Sequence, residues 1–198
     1  RLKGIDMNEF IDSESDLSPS SSSPLSSSST ATSSSTATSS SSPSTGHPYI
    51  KIIEQPAKCG VRFRYECEGR ISGAIPGQYS TTTNPSYPTI KIMNYKGRAK
   101  VIVSCVTKSQ PYKAHPHNLV GKRSCKDGVC CVIVSNENMI CSFNNLGILC
   151  AKRKDIKERL KLRELINVDP FGQGFGHKSQ ALKMIDLSVI RLCFQVND

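Results

Sequence analysis

The sequence has no apolar run approaching the roughly 20 residues needed to cross a bilayer, and its N-terminus lacks the apolar segment that directs secretion. It has no Cys-x-x-Cys pair, and Asn84, the first residue of its Asn-x-Ser triplet, is followed by Pro85 and so cannot accept a glycan. These gaps argue against a membrane span, a secreted glycoprotein and a zinc ribbon. Nine cysteines, an odd number without paired spacing, suggest free thiols in a soluble intracellular protein, where thiols stay reduced. Acidic residues are scarce in one part of the chain. Residues 47–198 hold 24 basic against 11 acidic residues, a net +13, whereas residues 1–46 set Arg1 and Lys3 against five acids, a net −3. A polyanionic partner is the expectation for the basic part.

The two parts also differ in texture. From Ser13 to Thr45 the chain is almost wholly Ser and Thr with interspersed Pro and Ala, which cannot bury enough apolar area to offset the entropy of ordering. Residues 1–46 are therefore expected to be a disordered Ser/Thr-rich tail open to phosphorylation, with Met7 as an alternative start. Beyond His47 come short β-branched runs at 49–53, 89–93, 101–106, 129–134, 139–143 and 187–196, which predict strands. In the last run Ile190, Leu192, Phe194 and Val196 share one face while Arg191, Cys193 and Gln195 share the other, the alternation of a half-buried antiparallel strand.

Turn chemistry separates the runs, as at Ile75-Pro76-Gly77 and Lys126-Asp127-Gly128, so a β-sandwich is the predicted architecture. One segment departs from it. Asp155 to Ile166 places Ile156, Leu160, Leu162, Leu165 and Ile166 at helical spacings, with Asp155 as the expected N-cap. The Gly-rich stretch Phe171–Ser179 has the wrong spacing for a phosphate-binding loop and is expected to be a plain loop.

The informative constellation is Arg62-Phe63-Arg64-Tyr65-Glu66-Cys67-Glu68-Gly69-Arg70. An arginine fork matches O6 and N7 of guanine, and a glutamate accepts from N4 of cytosine, so Arg62, Arg64 and Glu68 suit adjacent G·C pairs. A carboxylate among arginines would repel a phosphate backbone. It makes sense where it braces an arginine and reads a base. The bland alternative is a surface strand of alternating charge with Phe63 and Tyr65 in the core or at its rim.

This motif and its continuation Ile71-Ser72-Gly73-Ala74-Ile75-Pro76-Gly77 resemble the recognition loop of the Rel/NF-kappaB family. So do Tyr87-Pro88-Thr89-Ile90, Val103–Thr107, Pro111-Tyr112, His115–Gly121, Asn145–Ile148 and Val189–Val196, in order along 47–198. Arg70, following Glu68-Gly69, resembles the Dorsal and RelA branch of that family. The resemblance implies an all-β, immunoglobulin-like (p53-like) β-sandwich with an inserted helical segment, reading G-rich kappaB-type DNA in the major groove as part of a transcription factor in Toll-type signalling. It implies that Arg62 and Arg64 bond guanines, that Glu68 contacts cytosine and holds an arginine, and that Tyr65, Cys67 and Arg70 touch backbone or neighbouring bases. Lys152, Arg153 and Lys154 resemble a second family loop that grips phosphate or base edges.

The field of Arg62, Arg64 and Arg70 is expected to favour thiolate at Cys67, making that residue redox-sensitive. By the same resemblance the partners are double-stranded DNA, a second Rel-family subunit and an ankyrin-repeat inhibitor of the Cactus or I-kappaB type. Residues 47–198 are then a DNA-binding domain truncated before its dimerisation domain and import signal, in a protein that is cytoplasmic when inhibited and nuclear when active. No cofactor, metal or catalysis is expected. Cys125, Cys130 and Cys131 lack a second ligand pair, His115 and His117 are expected to play a loop role, and nothing in the sequence brings either histidine to Cys67 as a catalytic base. A protein-interaction sandwich whose basic face meets an acidic partner stays open as the competing reading.

Overall fold

A computed structural model of the protein describes residues 4–7, 11–12, 47–58, 61, 63–69, 73–122 and 124–197. Its strands are β1 (Gly4–Met7), β2 (Ile11–Asp12), β3 (Tyr49–Glu54), β4 (Arg64–Tyr65), β5 (Thr89–Met93), β6 (Ala99–Val106), β7 (Asn118–Val120), β8 (Cys125–Lys126), β9 (Val129–Val134), β10 (Ile140–Ser142) and β11 (Gly147–Cys150). Helices α1 (Ile156–Leu165) and α2 (Ala181–Met184) follow, and β12 (Val189–Asn197) closes the sequence of elements. The strands form three sheets, ordered β1-β12-β6-β9-β8 with β2 also on β12, then β10-β5-β3, then β4-β11-β7.

The alternating strands carry the core. In β12, Ile190, Leu192, Phe194 and Val196 are each at most 2% exposed, and they pack in one cluster with Val101 and Val103 of β6, Ile90 and Ile92 of β5, Ile50 of β3 and Ile148 of β11. That cluster joins all three sheets, so the expected all-β sandwich with a helical insertion is what the chain forms. Each such side chain contributes about 1.5–3 kcal/mol of burial, which makes this the dominant stabilising region. The opposite face of β12 is less wet than its alternation implies. Cys193 is fully buried, Arg191 stacks 5.6 Å over the ring of Tyr112, and Arg191 Nε donates to Lys108 O at 2.8 Å.

Several local expectations change. Gly4–Met7 and Ile11–Asp12, assigned by composition to the tail, pair with β12 in antiparallel register. The serine-rich stretch 13–46 lies outside the described residues. Cys125 and Cys130 are joined as a disulfide, against the expectation of free thiols. The cause is local: Asp127 and Gly128 adopt positive φ of 51° and 77°, a two-residue turn that sets Cys125 opposite Cys130 across β8 and β9.

Asp155 does not cap α1 with its side chain, because it already belongs to a 3-10 turn, Arg153–Asp155, that begins after the extended Lys152. The buried stripe of α1 is Ile156, Leu160 and Arg163, while Leu165 is 70% exposed. In the Gly-rich loop the amides of Gln173 and Gly174 donate to the carboxylate of Asp169, so those donors are already satisfied from within the chain.

Candidate nucleic-acid interface

The recognition motif is placed by one short pairing. Strand β4 runs parallel to β11, with Arg64 opposite Leu149 and Tyr65 opposite Cys150. Because both strands leave the sheet in the same direction, the residues after each emerge side by side. After β4 comes the 3-10 turn Glu66–Glu68, and after β11 come Ala151 and the basic run Lys152-Arg153-Lys154. The two segments flagged in the sequence, far apart in the chain, are thus brought to one end of the sandwich.

Within the turn the contacts are those of a braced arginine. Arg64 Nη1 donates to Glu68 Oε2 at 2.9 Å, and Tyr65 N donates to Glu68 Oε1 at 2.9 Å, so one carboxylate fixes both a guanidinium and the backbone before it. Gly69 closes the turn in the left-handed region at φ 61°, which a residue with a Cβ rarely adopts. Phe63 packs against the core, whereas Tyr65 is 43% exposed and Cys67 is exposed at the middle of the turn. Arg62 and Arg70 lie outside the described residues.

An open cleft of about 380 Å³ lies where the two segments meet, lined by Phe63 and Tyr65, by Cys150 to Arg153, and by Leu187 and Ser188. Tyr65, Lys152 and Arg153 therefore share one cavity with the segment that leads into β12. Cys150, in its wall, is a poor nucleophile. Burial pushes its thiol up to about 12, and the charge of Glu68 adds to the effect.

Beneath the cleft sits a polar hub that the sequence did not reveal. His115 and His117, expected to play a loop role, are both fully buried, with rings 4.5 Å apart. His117 Nδ1 accepts from Ala151 N at 3.2 Å and His115 Nδ1 accepts from His117 N at 3.2 Å. Each ring proton therefore resides on Nε2, donating to Leu187 O at 2.9 Å from His117 and to Asp186 O at 3.1 Å from His115.

Desolvation holds both imidazoles below their ordinary range, His117 at about 4. Phe63 meets the His117 ring edge-on at 5.7 Å. One buried ring thus touches all three walls of the cleft. With both nitrogens of each ring committed to the backbone, neither histidine is placed as a general base for Cys67.

Arg163 completes the hub from α1. It is 1% exposed, and its guanidinium donates to the carbonyls of Asp127 and His117 and, at 2.6 Å, to Asn118 Oδ1. It does so directly under Gly128, where a Cβ would land on the guanidinium. A second arginine of α1 reaches the recognition turn itself: Arg159 Nη2 donates to Glu66 Oε2 at 2.8 Å. Among the described residues no group of three or more His, Cys, Asp or Glu converges as a metal site.

Residues 50–198 match the family model of the Rel homology DNA-binding domain. The chain belongs to the Rel homology family. It is 60% identical over 149 residues to the embryonic polarity protein dorsal of Drosophila melanogaster, covering 75% of this chain and 15% of that protein. It is 49% identical over 150 residues to human proto-oncogene c-Rel, covering 76% of this chain and 24% of that protein. Among solved structures it resembles the Dorsal homologue Gambif1 bound to DNA, with a TM-score of 0.72 and 54% identity over 75% of this chain and 85% of that one. The chain thus spans less than a third of the length of these curated relatives.

Proposed function

We propose that this Rel domain reads G-rich kappaB-type sites in the major groove as the sequence-specific module of a Dorsal-type transcription factor. The observation that carries the reading is the parallel pairing of β4 with β11, which places a carboxylate-braced arginine beside a run of three cations. Arg64, with Arg62, donates to guanine, and Glu68 holds Arg64 and accepts from cytosine. Tyr65, Cys67 and Arg70 contact backbone or flanking bases. Lys152 and Arg153 neutralise phosphates and set the register of the turn on the duplex.

Cys67, exposed in the centre of the turn, is the thiol whose oxidation or alkylation weakens binding. On the same reading the domain works as half of a Rel-family dimer, retained in the cytoplasm by an ankyrin-repeat inhibitor and released to the nucleus to regulate transcription in Toll-type signalling.

The test is a titration of the chain against a G-rich kappaB-type duplex and a scrambled control at two salt concentrations. Arg64→Ala is expected to cost about 1–3 kcal/mol on the G-rich duplex and to abolish discrimination, while Lys152→Ala weakens both duplexes alike and lowers the salt slope by about 1. Equal binding of both duplexes by the unaltered chain would instead favour a basic module for an acidic protein partner.

A further inference from the structure

Two carboxylates lie in the recognition turn, and only one belongs to the reading machinery. Glu68 is engaged by Arg64 and by the amide of Tyr65. Glu66, two residues earlier, has a side chain 71% exposed and would be free to turn back on Arg64, on Lys152 or Lys154, or toward the phosphates. It shares a small surface cavity with Cys67, Lys152, Lys154, Asp155 and Arg159. Each of those alternatives would work against DNA binding, since a stray carboxylate either captures a cation that DNA needs or repels the backbone.

We propose that Arg159 is a positioning residue for the recognition turn, holding Glu66 away from Arg64 and the lysines and tying the turn to α1. Its guanidinium comes from a residue 93 positions away, carried by a helix that is fixed on the adjoining face through buried Ile156, Leu160 and Arg163. The bond at 2.8 Å therefore joins a three-residue turn to a rigid element before DNA arrives. In this role Arg159 touches no base and no phosphate. It leaves Arg64 to Glu68 alone and keeps Lys152 and Lys154 available.

The inference rests on the residue roles assigned under Proposed function, and its test separates the two. Duplex titrations at several salt concentrations would compare the full chain with Arg159→Ala, Arg159→Lys, Glu66→Gln, the Arg159→Ala/Glu66→Gln double variant and Arg64→Ala. A surface ion pair shifts an equilibrium by at most a factor of about five. Arg159→Ala is accordingly expected to weaken the G-rich duplex about three- to fivefold and the scrambled duplex less, with an unchanged melting temperature. Amide exchange over residues 65–69 should quicken. Arg159→Lys should recover part of the loss, and the double variant most of it, because the carboxylate that needed restraint is gone.

A loss equal on both duplexes, with a slope reduced by about 0.9 and no recovery in the double variant, would make Arg159 a phosphate contact and overturn the proposal. Unchanged binding by Arg159→Ala would overturn it too. If Arg64→Ala abolishes discrimination while Arg159→Ala does nothing, only the positioning role fails. If Arg64→Ala leaves discrimination intact, the assignment of the turn itself fails.

Discussion

The recognition turn and the hub beneath it both rely on charged or polar side chains, but solvent treats them differently. In the turn, Arg64, Glu68, Glu66 and Arg159 form pairs at the surface, where water competes and each pair is worth little to stability. In the hub, Arg163, His115 and His117 are at most 1% exposed and bond to backbone carbonyls and amides. A buried polar group is costly to leave unpaired, so the hub fixes positions while the turn stays free to exchange its partners, for bases on the proposed reading. Damage to the first should appear in folding, and damage to the second in recognition.

The sharpest way to break that contrast is at Arg163. Replacement by Leu removes the donor to Asp127 O, His117 O and Asn118 Oδ1 together. A loss of about 4 kcal/mol is expected, seen as a lower urea midpoint at constant m-value. The fraction that remains folded should still discriminate G-rich from scrambled DNA. If discrimination were lost while the urea midpoint stayed put, the division of labour between hub and turn would be wrong.

A second test uses pH. His117 is held at about 4 in the folded protein against an ordinary 6.5, burial being the cause. Between those values the unfolded chain binds a proton that the native protein refuses. Stability therefore falls as pH drops from about 6.5 to about 4 and levels off below. The full span is on the order of 3 kcal/mol, and His115, depressed in the same direction, adds to it. Urea unfolding at pH 7, 5.5 and 4.5 should show this slope, reduced in His117→Gln. A slope as steep in that variant as in the original chain would remove His117 from the account.

The smallest effect is expected in the turn. Glu68→Gln keeps an acceptor for Tyr65 N but loses the charge that holds Arg64. It should cost about 1 kcal/mol in discrimination, measured by paired titrations, and leave the melting temperature nearly unchanged.

How much of this could be read from the sequence depended on length and on chemistry. Strand β12 declares itself through a period of two, and β3, β5, β6 and β9 through runs of β-branched residues. Strands β4, β7, β8 and β11 have two to four residues each and carry no periodicity, although β11 decides where the interface lies. In α1 the stripe 156, 160, 163 has the right spacing, but a cation at 163 reads as surface and Leu165 as core, and the structure exchanges them.

His115 and His117 read as loop residues because nothing in the local sequence announces that Ala151, Asp186 and Leu187 will fold around them. The turn itself was legible, since the pairing of arginine with glutamate is local and chemically specific. Its tie to Arg159 was not, because a partner 93 residues distant leaves no pattern in sequence.

The pairing of β4 with β11 also acts as a ruler. Only two residue pairs fix how far the start of the turn stands from the start of the cationic run. One step along a strand is about 3.3 Å, close to the rise from one base pair to the next, and it also turns a side chain to the opposite face. A slip of one residue in this pairing would thus be spelled out as a shift of register on the duplex, whereas extra residues in loops remote from the turn and the cationic run would leave that spacing as it is.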